Sequence, residues 1–317
     1  MSLDIEVINS LKSLPCFGEI QTIDCLTNGL SQTAIKVTTA SQTFFAKKLH
    51  HDTAITEAYC ALTCSTENRE QDSKQHLSPD VIYHDQEWLV TAFIQGMTLA
   101  ESSLEVEKKI LTALALMTKL HQLPVSGSKQ AIPLLDATQS TKRLLTKPAR
   151  FLVPQSPILD KVTKCLTLII TRLSEASTSA NVLCHGDMNF TNILVDDNRH
   201  PWLIDFECAH IAPVEFDLAM FIAVNNLPTQ HLNEIVENYI KLSPEYCCNH
   251  ELLIHYILYS FFINGLWYFD NITCDSKDSD ERNQKLYYRL AIEQWSAFDN
   301  FAIECAIEIP KLIPLIS

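Results

Sequence analysis

The stretch LCHGDMNFTNILVDDNRHPWLIDFECA, from Leu183 to Ala209, constrains the fold more than any other part of the chain. Ile193-Leu194-Val195 and Trp202-Leu203-Ile204 are short apolar runs, and DDNRHP between them is rich in turn formers. That pattern predicts an antiparallel hairpin with a solvated tip. A turn near Asn198 sets Asn192 opposite Asp205 at the open end, where opposed residues stand about 4.5 to 5.5 Å apart. An amide oxygen and a carboxylate at that separation suit a hard cation such as magnesium. Asp187 lies on the loop that enters the hairpin and can face the same space. One loop carboxylate beside two oxygen ligands is a set that phosphoryl transfer uses: the cation neutralises phosphate charge, and the separate carboxylate orients and deprotonates the attacking hydroxyl.

Glycine usage narrows the fold from the other side. The six glycines (Gly18, Gly29, Gly96, Gly127, Gly186 and Gly265) form neither GxGxxG nor GxxxxGK[ST]. Dinucleotide-binding and Walker-type loops need clustered glycines so that backbone can approach phosphate, so both classes are disfavoured. GxSxG and HExxH are absent as well, which removes the simplest esterase and zincin readings.

The texture of the chain changes near Gly96. Before it, EIQTIDCLTNGLSQTAIKVTTASQTFFAKKLH alternates β-type runs with turn residues. A helix is expected from about Thr53 to Cys64, and DVIYHDQEWLVTAFIQGMTL adds two strands around Asp85-Gln86. After Gly96 the pattern is helical: Ile110, Leu111, Leu114, Met117, Leu120 and His121 fall at helical spacing, and Pro124 stops the run. Further helices are expected between Ala137 and Ser174 and from the hairpin to about Leu312. The expected fold is α+β and bilobal. A small five-stranded antiparallel lobe with one helix occupies residues 1–96, and a larger, mostly helical lobe occupies 97–317, with a hinge near Ile94–Thr98. A chain of 317 residues, 47% of them hydrophobic, can fill two such cores.

Charge and cysteines bound the partners. With 24 basic and 38 acidic side chains the net charge is −14, which argues against tracking a nucleic-acid backbone and suits a small cationic substrate. The eleven scattered cysteines contain no CxxC pair and read as reduced, mostly buried thiols. MSLDIEVINSLKSLP has neither a basic start nor a long apolar run, so a cytoplasmic location is expected. LLIHYILYSFFINGLWYF approaches the length of a membrane span, but His255, Ser260, Asn264 and Gly265 interrupt it and no basic cluster orients it. A buried helix is expected there, without membrane insertion.

The motifs then resemble those of a known family. His185-Gly186-Asp187, Asn192-Ile193-Leu194, Ile204-Asp205-Phe206-Glu207 and Asp217-Leu218-Ala219 match, in order and spacing, the HGDxxxxNIL, (I/V)D(F/W)E and DLA signatures of the aminoglycoside phosphotransferase and choline kinase superfamily. The resemblance implies the bilobal protein-kinase-like fold, ATP as donor and Mg2+ as its partner, with Asp187 as general base and Asn192 and Asp205 as metal ligands. LTNGLSQTAIKV is similar to the turn that covers the nucleotide phosphates, which implicates Asn28, Gly29, Ser31 and Gln32. FFAKKLH is similar to the strand that carries the phosphate-binding lysine. Lys47 fits best, Lys48 is the alternative, and Glu57 on the next helix is placed to hold the lysine. LVTAFIQGMTL resembles the hinge against the nucleotide, which implicates Phe93 and Ile94. His185 and Asp217 read as structural braces.

Only ECAHIAPVEFD separates Glu207 from Asp217, which leaves no room for a protein-kinase activation segment. The implied acceptor is a small alcohol. Aromatic residues of the late helix with Asp270 nearby suit a cationic alcohol, with Glu207, Trp267, Tyr268 and Asp270 as substrate candidates. The LWY–F cluster and the IPLLD segment resemble thiamine or choline kinases more than aminoglycoside enzymes, which implies a thiamine- or choline-like acceptor. The competing readings are a catalytically silent pseudokinase that senses nucleotide and a metal-dependent phosphohydrolase using His185, Asp187, Asp205 and Glu207. No oligomeric state is assigned.

Overall fold

Alternation of apolar and polar side chains builds the N-terminal sheet of the chain. The computed structural model describes residues 4–26, 33–66, 76–125, 131–146, 157–176, 180–272 and 281–313. Helix α1 (Ile5–Lys12) leads into strands β1 (Ile20–Leu26), β2 (Ala34–Thr39) and β3 (Thr43–Lys48), followed by helix α2 (Ala54–Thr66) and strands β4 (Val81–His84) and β5 (Trp88–Ala92). The sheet is antiparallel in the order β1-β2-β3-β5-β4. On β2 and β3, Ile35, Val37, Phe44 and Ala46 point one way and meet Trp88 and Val90 of β5 together with Leu11 and Leu14. Successive strand residues face opposite sides, so this face is the core of the sheet. Helix α1 is a second helix that the strand-rich reading of this region lacks. Asp4 caps it by accepting the Glu6 N–H, and Ser10 accepts the Trp88 indole N–H at 2.9 Å.

The mixed α+β class follows from what comes next. Strand β6 (Gly96–Thr98) and helix α3 (Val106–His121) precede strand β7 (Asn181–Cys184), the hairpin strands β8 (Ile193–Asp196) and β9 (Pro201–Leu203), and strand β10 (His210–Pro213). β6, β8 and β9 form a small antiparallel sheet. Gly96 sits where a Cβ would run into the carbonyl oxygen of Val195, so the close approach of β6 to β8 requires glycine. Helix α3 buries Ile110, Leu114, Met117 and Leu120 at the expected spacing, while Leu111 is 44% exposed.

Two compact units result: Met1–Pro133 with Val182–Ile211, and Leu134–Asn181 with Ala212–Ser317. The unit that contains the sheet therefore runs beyond residue 96 and takes in the hairpin. The second unit is helical, with α4 (Ala137–Thr146), α5 (Pro157–Glu175), α6 (Val214–Val224), α7 (Leu232–Leu242), α8 (His250–Asp270) and α9 (Glu281–Glu304). Every residue of α6 from Val214 to Ala223 is buried, the acids Glu215 and Asp217 included. It packs on α8, and α8 packs on α5 and α9. At Gly265 a Cβ would collide with the indole of Trp295, so glycine lets α8 and α9 approach. By length and composition α8 suffices to cross a membrane, but 67% of its apolar window is buried among its neighbours. The described cysteines are all free thiols.

Candidate active site

Strand alternation puts the two lysines on opposite faces of the sheet. Phe44 and Ala46 face the sheet core, so Lys47 emerges on the opposite face and Lys48 does not. Lys47 is only 6% exposed. Its Nζ donates to Glu57 Oε1 at 2.6 Å and to Asp205 Oδ1 at 2.8 Å, and stands 4.0 Å from Glu207 Oε2. Glu57 lies in the first turn of α2 and is 1% exposed. Burial works against the Lys47 charge, but the carboxylates of Asp205, Glu57 and Glu207 outweigh it and hold the ammonium charged well above the usual lysine range. Burial pushes the Glu57 carboxyl up, and Lys47 pulls it back in part. Removing one partner of such a buried pair costs about 3–5 kcal/mol, because the other charge is left uncompensated.

The catalytic-loop candidates form a second constellation. After β7 the chain passes through Gly186 at φ +74, a left-handed conformation, and a Cβ there would run into the carbonyl oxygen of Cys208. Glycine is thus required twice over, by backbone angle and by contact. Asn189 accepts the Thr191 N–H and opens a short 3-10 turn, Phe190–Asn192, that ends in β8. The turn aims the Asn192 side chain back at the loop: its Nδ2 donates to the Asp187 carbonyl at 3.0 Å and to Asp187 Oδ2 at 2.9 Å. His185, fully buried, bonds through Nε2 to the Ile204 carbonyl at 3.1 Å and packs on Phe206. Asp217 is fully buried within α6.

The hairpin register differs from the expected one. Ile193 pairs with Leu203 and the Ile204 N–H donates to the Asn192 carbonyl, so Asn192 faces Ile204 and not Asp205. Asp205 lies one residue farther on with φ +68, and this left-handed residue turns the chain out of the strand as its side chain reaches Lys47. The tip is solvated as expected, with Asp197, Asn198 and Arg199 exposed, but Asp196 has a structural part in it. Asp196 Oδ1 accepts the N–H groups of Asn198 and His200, and Oδ2 accepts the Trp202 indole N–H, so Asp196 clasps the hairpin while Asp197 is exposed.

The donor set fits a hard cation. Glu57, Asp205 and Glu207 each offer one oxygen within 4.8 Å of the others, and Glu57 Oε2 is buried without a hydrogen-bond partner among the described residues. Asn192 commits its amide nitrogen to Asp187, which leaves its oxygen as the end that could meet a cation. Phe93 follows β5, donates its N–H to the Thr43 carbonyl and lies under the Lys36 ammonium at 4.6 Å, with half-buried Ile94 beside it in sequence. Lys47 pairs with Leu89, so Phe93 sits roughly 13 Å farther along the same strand. Asn28, Gly29, Ser31 and Gln32 lie outside the described residues.

In the second unit, Trp267 is 37% exposed and forms a ring cluster with Tyr268 at 5.4 Å and Tyr287 at 6.1 Å. Asp270 is half-buried at the end of α8. Tyr256, Tyr259 and Phe262 are core residues. The sequence reading omits Tyr287; its signal is the YY pair in KLYYRL on the last helix. It also omits the direct bond between Lys47 and Asp205.

A model of the phosphotransferase enzyme family matches residues 26–245. The Protein LicA homolog of Metamycoplasma hominis is 26% identical over 183 residues, 57% of this chain and 68% of that protein. The choline kinase LicA of Streptococcus pneumoniae superposes with a TM-score of 0.64 at 17% identity, covering 92% of this chain and 97% of that one. A spectinomycin phosphotransferase, solved with ADP and spectinomycin, gives 0.64 at 14% identity over 92% of this chain and 97% of its own.

Proposed function

Because the chain belongs to the phosphotransferase enzyme family, we propose that it is an ATP-dependent kinase of a small cationic alcohol, choline- or thiamine-like in preference to an aminoglycoside. The observation that carries this reading is the pairing of two constellations in one unit: Asp187 held by Asn192, and Lys47 held by Glu57 beside Asp205. Relatives support it. The LicA of Streptococcus pneumoniae is a choline kinase, and the spectinomycin enzyme was solved with ADP.

In this mechanism Asp187 orients the acceptor hydroxyl and takes its proton as the oxygen attacks the γ-phosphorus. The Asn192 amide fixes the Asp187 carboxylate and keeps one oxygen directed by a donor. Lys47 steadies the nucleotide phosphates and Glu57 positions Lys47. Asp205 and the Asn192 oxygen would hold Mg2+, which supplies charge neutralisation of the triphosphate when bound. Phe93 and Ile94 meet the base end, and the resemblance of LTNGLSQTAIKV assigns the phosphates to Asn28, Gly29, Ser31 and Gln32. The division of labour is that of residues 1–96 for nucleotide and 97–317 for catalysis and acceptor.

In the second unit, Trp267 and Tyr268 offer ring faces to the cation of the acceptor and Asp270 offers a carboxylate; Glu207 is the acidic substrate candidate of the first unit. The protein works in the cytoplasm without inserting into a membrane. The test is a turnover screen with Mg-ATP and choline, ethanolamine, thiamine, spectinomycin and hydroxylated sugars, reading acceptor-dependent ADP release. Release with choline, ethanolamine or thiamine supports the reading. ADP release with sugars alone replaces the acceptor class, and phosphate release from a monoester without nucleotide overturns the kinase assignment.

A further inference from the structure

Lys47 does more here than pair with Glu57. Its ammonium joins carboxylates from two distant parts of the chain, Glu57 Oε1 at 2.6 Å and Asp205 Oδ1 at 2.8 Å, and comes within 4.0 Å of Glu207 Oε2. These are the same three carboxylates whose oxygens cluster within 4.8 Å of one another. One ammonium among three carboxylates leaves an excess of negative charge that a dication would meet better. The two cations cannot share the cluster cheaply. A dication on either oxygen of Asp205 would sit a few ångströms from the ammonium, and like charges at that range repel strongly in a partly buried site.

We propose that Lys47 occupies the cation site of the ligand-free protein, and that a divalent cation binding at Asp205 expels its ammonium from Asp205 and leaves it on Glu57. The cluster contains a place for the displaced group. Glu57 Oε2 is buried and lacks a hydrogen-bond partner among the described residues, so the carboxylate that keeps Lys47 has a second oxygen to offer. The donor released from Asp205 then becomes available to a nucleotide phosphate. Metal and nucleotide thereby favour one another: the cation frees the lysine for phosphate, and by reciprocity phosphate that engages the lysine strengthens cation binding. Lys47 in this account is a positioning residue that weakens the binding of metal alone.

The inference rests on the kinase reading only for the identity of the cation, and its test requires no turnover. Free Mn2+ is titrated by electron paramagnetic resonance against the full chain without nucleotide. The proteins are wild type, Lys47→Met, Glu57→Gln and the double variant Lys47→Met/Glu57→Gln, with Asp205→Asn as the site control. The double variant is included because Lys47→Met alone strands the buried Glu57 charge; thermal unfolding identifies which proteins are folded. Removing Lys47 is expected to tighten Mn2+ binding at least about fivefold in either background, at a site that Asp205→Asn abolishes. A lysine that merely holds Asp205 in place predicts the opposite, weaker binding. Equal or weaker binding on removing Lys47 in both backgrounds, or binding indifferent to Asp205→Asn, overturns the exchange. That outcome leaves the phosphotransferase reading to stand or fall on acceptor-dependent turnover.

Discussion

The lysine cluster of the first unit and helix α8 of the second both bury polar groups, and they treat them differently. Lys47 and Glu57 are almost fully enclosed, and the ammonium meets carboxylates at 2.6 and 2.8 Å. On α8, Ser260 Oγ and His255 Nδ1 are buried without a hydrogen-bond partner among the described residues. Burial and the charge of Arg172 hold the His255 imidazole below the usual histidine range, Glu251 opposing them. The first region keeps costly charges and pairs them with opposite ones, even though Glu57 Oε2 lacks a hydrogen bond among the described residues; the second tolerates neutral groups inside a mostly buried helix. Burial of a polar atom is thus no mark of function by itself. Convergence of charged groups from separate elements is.

The largest effect should fall on the first region. Asp187→Asn is expected to lower acceptor-dependent turnover at least about 100-fold while nucleotide still binds, measured by steady-state kinetics and calorimetry. Full activity in that variant would remove Asp187 from the base position. Two of the three crowded glycines, Gly186 and Gly265, carry the comparison further. Gly186→Ala should destabilise by about 2 kcal/mol through its left-handed backbone and the Cys208 carbonyl, and should cost activity as well, since it shifts the loop of Asp187. Gly265→Ala should cost about 1–3 kcal/mol by overpacking against Trp295 and leave kcat of the folded enzyme unchanged. Chemical denaturation with kinetics on the same samples separates the two, and equal losses of kcat would erase the contrast.

Smaller effects probe the second region alone. Trp267→Ala should raise the acceptor KM by roughly 2- to 30-fold with little change in kcat, the range that corresponds to about 0.5–2 kcal/mol of cation–π binding. An unchanged KM for a cationic acceptor would assign the Trp267 cluster to packing. Ser260→Ala should change stability by no more than about 0.5 kcal/mol, because it deletes a hydroxyl with no hydrogen bond to lose. A loss several times larger in a denaturant titration would reveal a partner for Ser260 Oγ.

Much of this was legible in the residues, and the failures have physical causes. The α+β class, the five strands and helix α2 follow from local periodicity, whereas the letters AKK left Lys47 and Lys48 open until the facing of β3 put them on opposite sides. Helix α1 escaped because eight residues carry a weak signal, and what fixes them is tertiary: Leu11 under the sheet and Ser10 on the Trp88 indole. The hairpin was visible but its register slipped by one, because nothing in the letters IDFE announces that Asp205 takes φ +68. The bond between Lys47 and Asp205 spans 158 residues, and no local pattern encodes it.

The clasp at Asp196 carries a consequence for how this segment can vary. β8 and β9 hold few ladder bonds, and a slip of one residue would turn every side chain of a strand to the opposite face. Asp196 prevents the slip by binding two N–H groups of the turn and the indole of the strand beyond it. The two adjacent acids are therefore unequal under drift. Asp197, exposed, is open to replacement, whereas a lineage that loses Asp196 loosens the spacing between the Asn192 turn and the Asp205 bend, several residues from either.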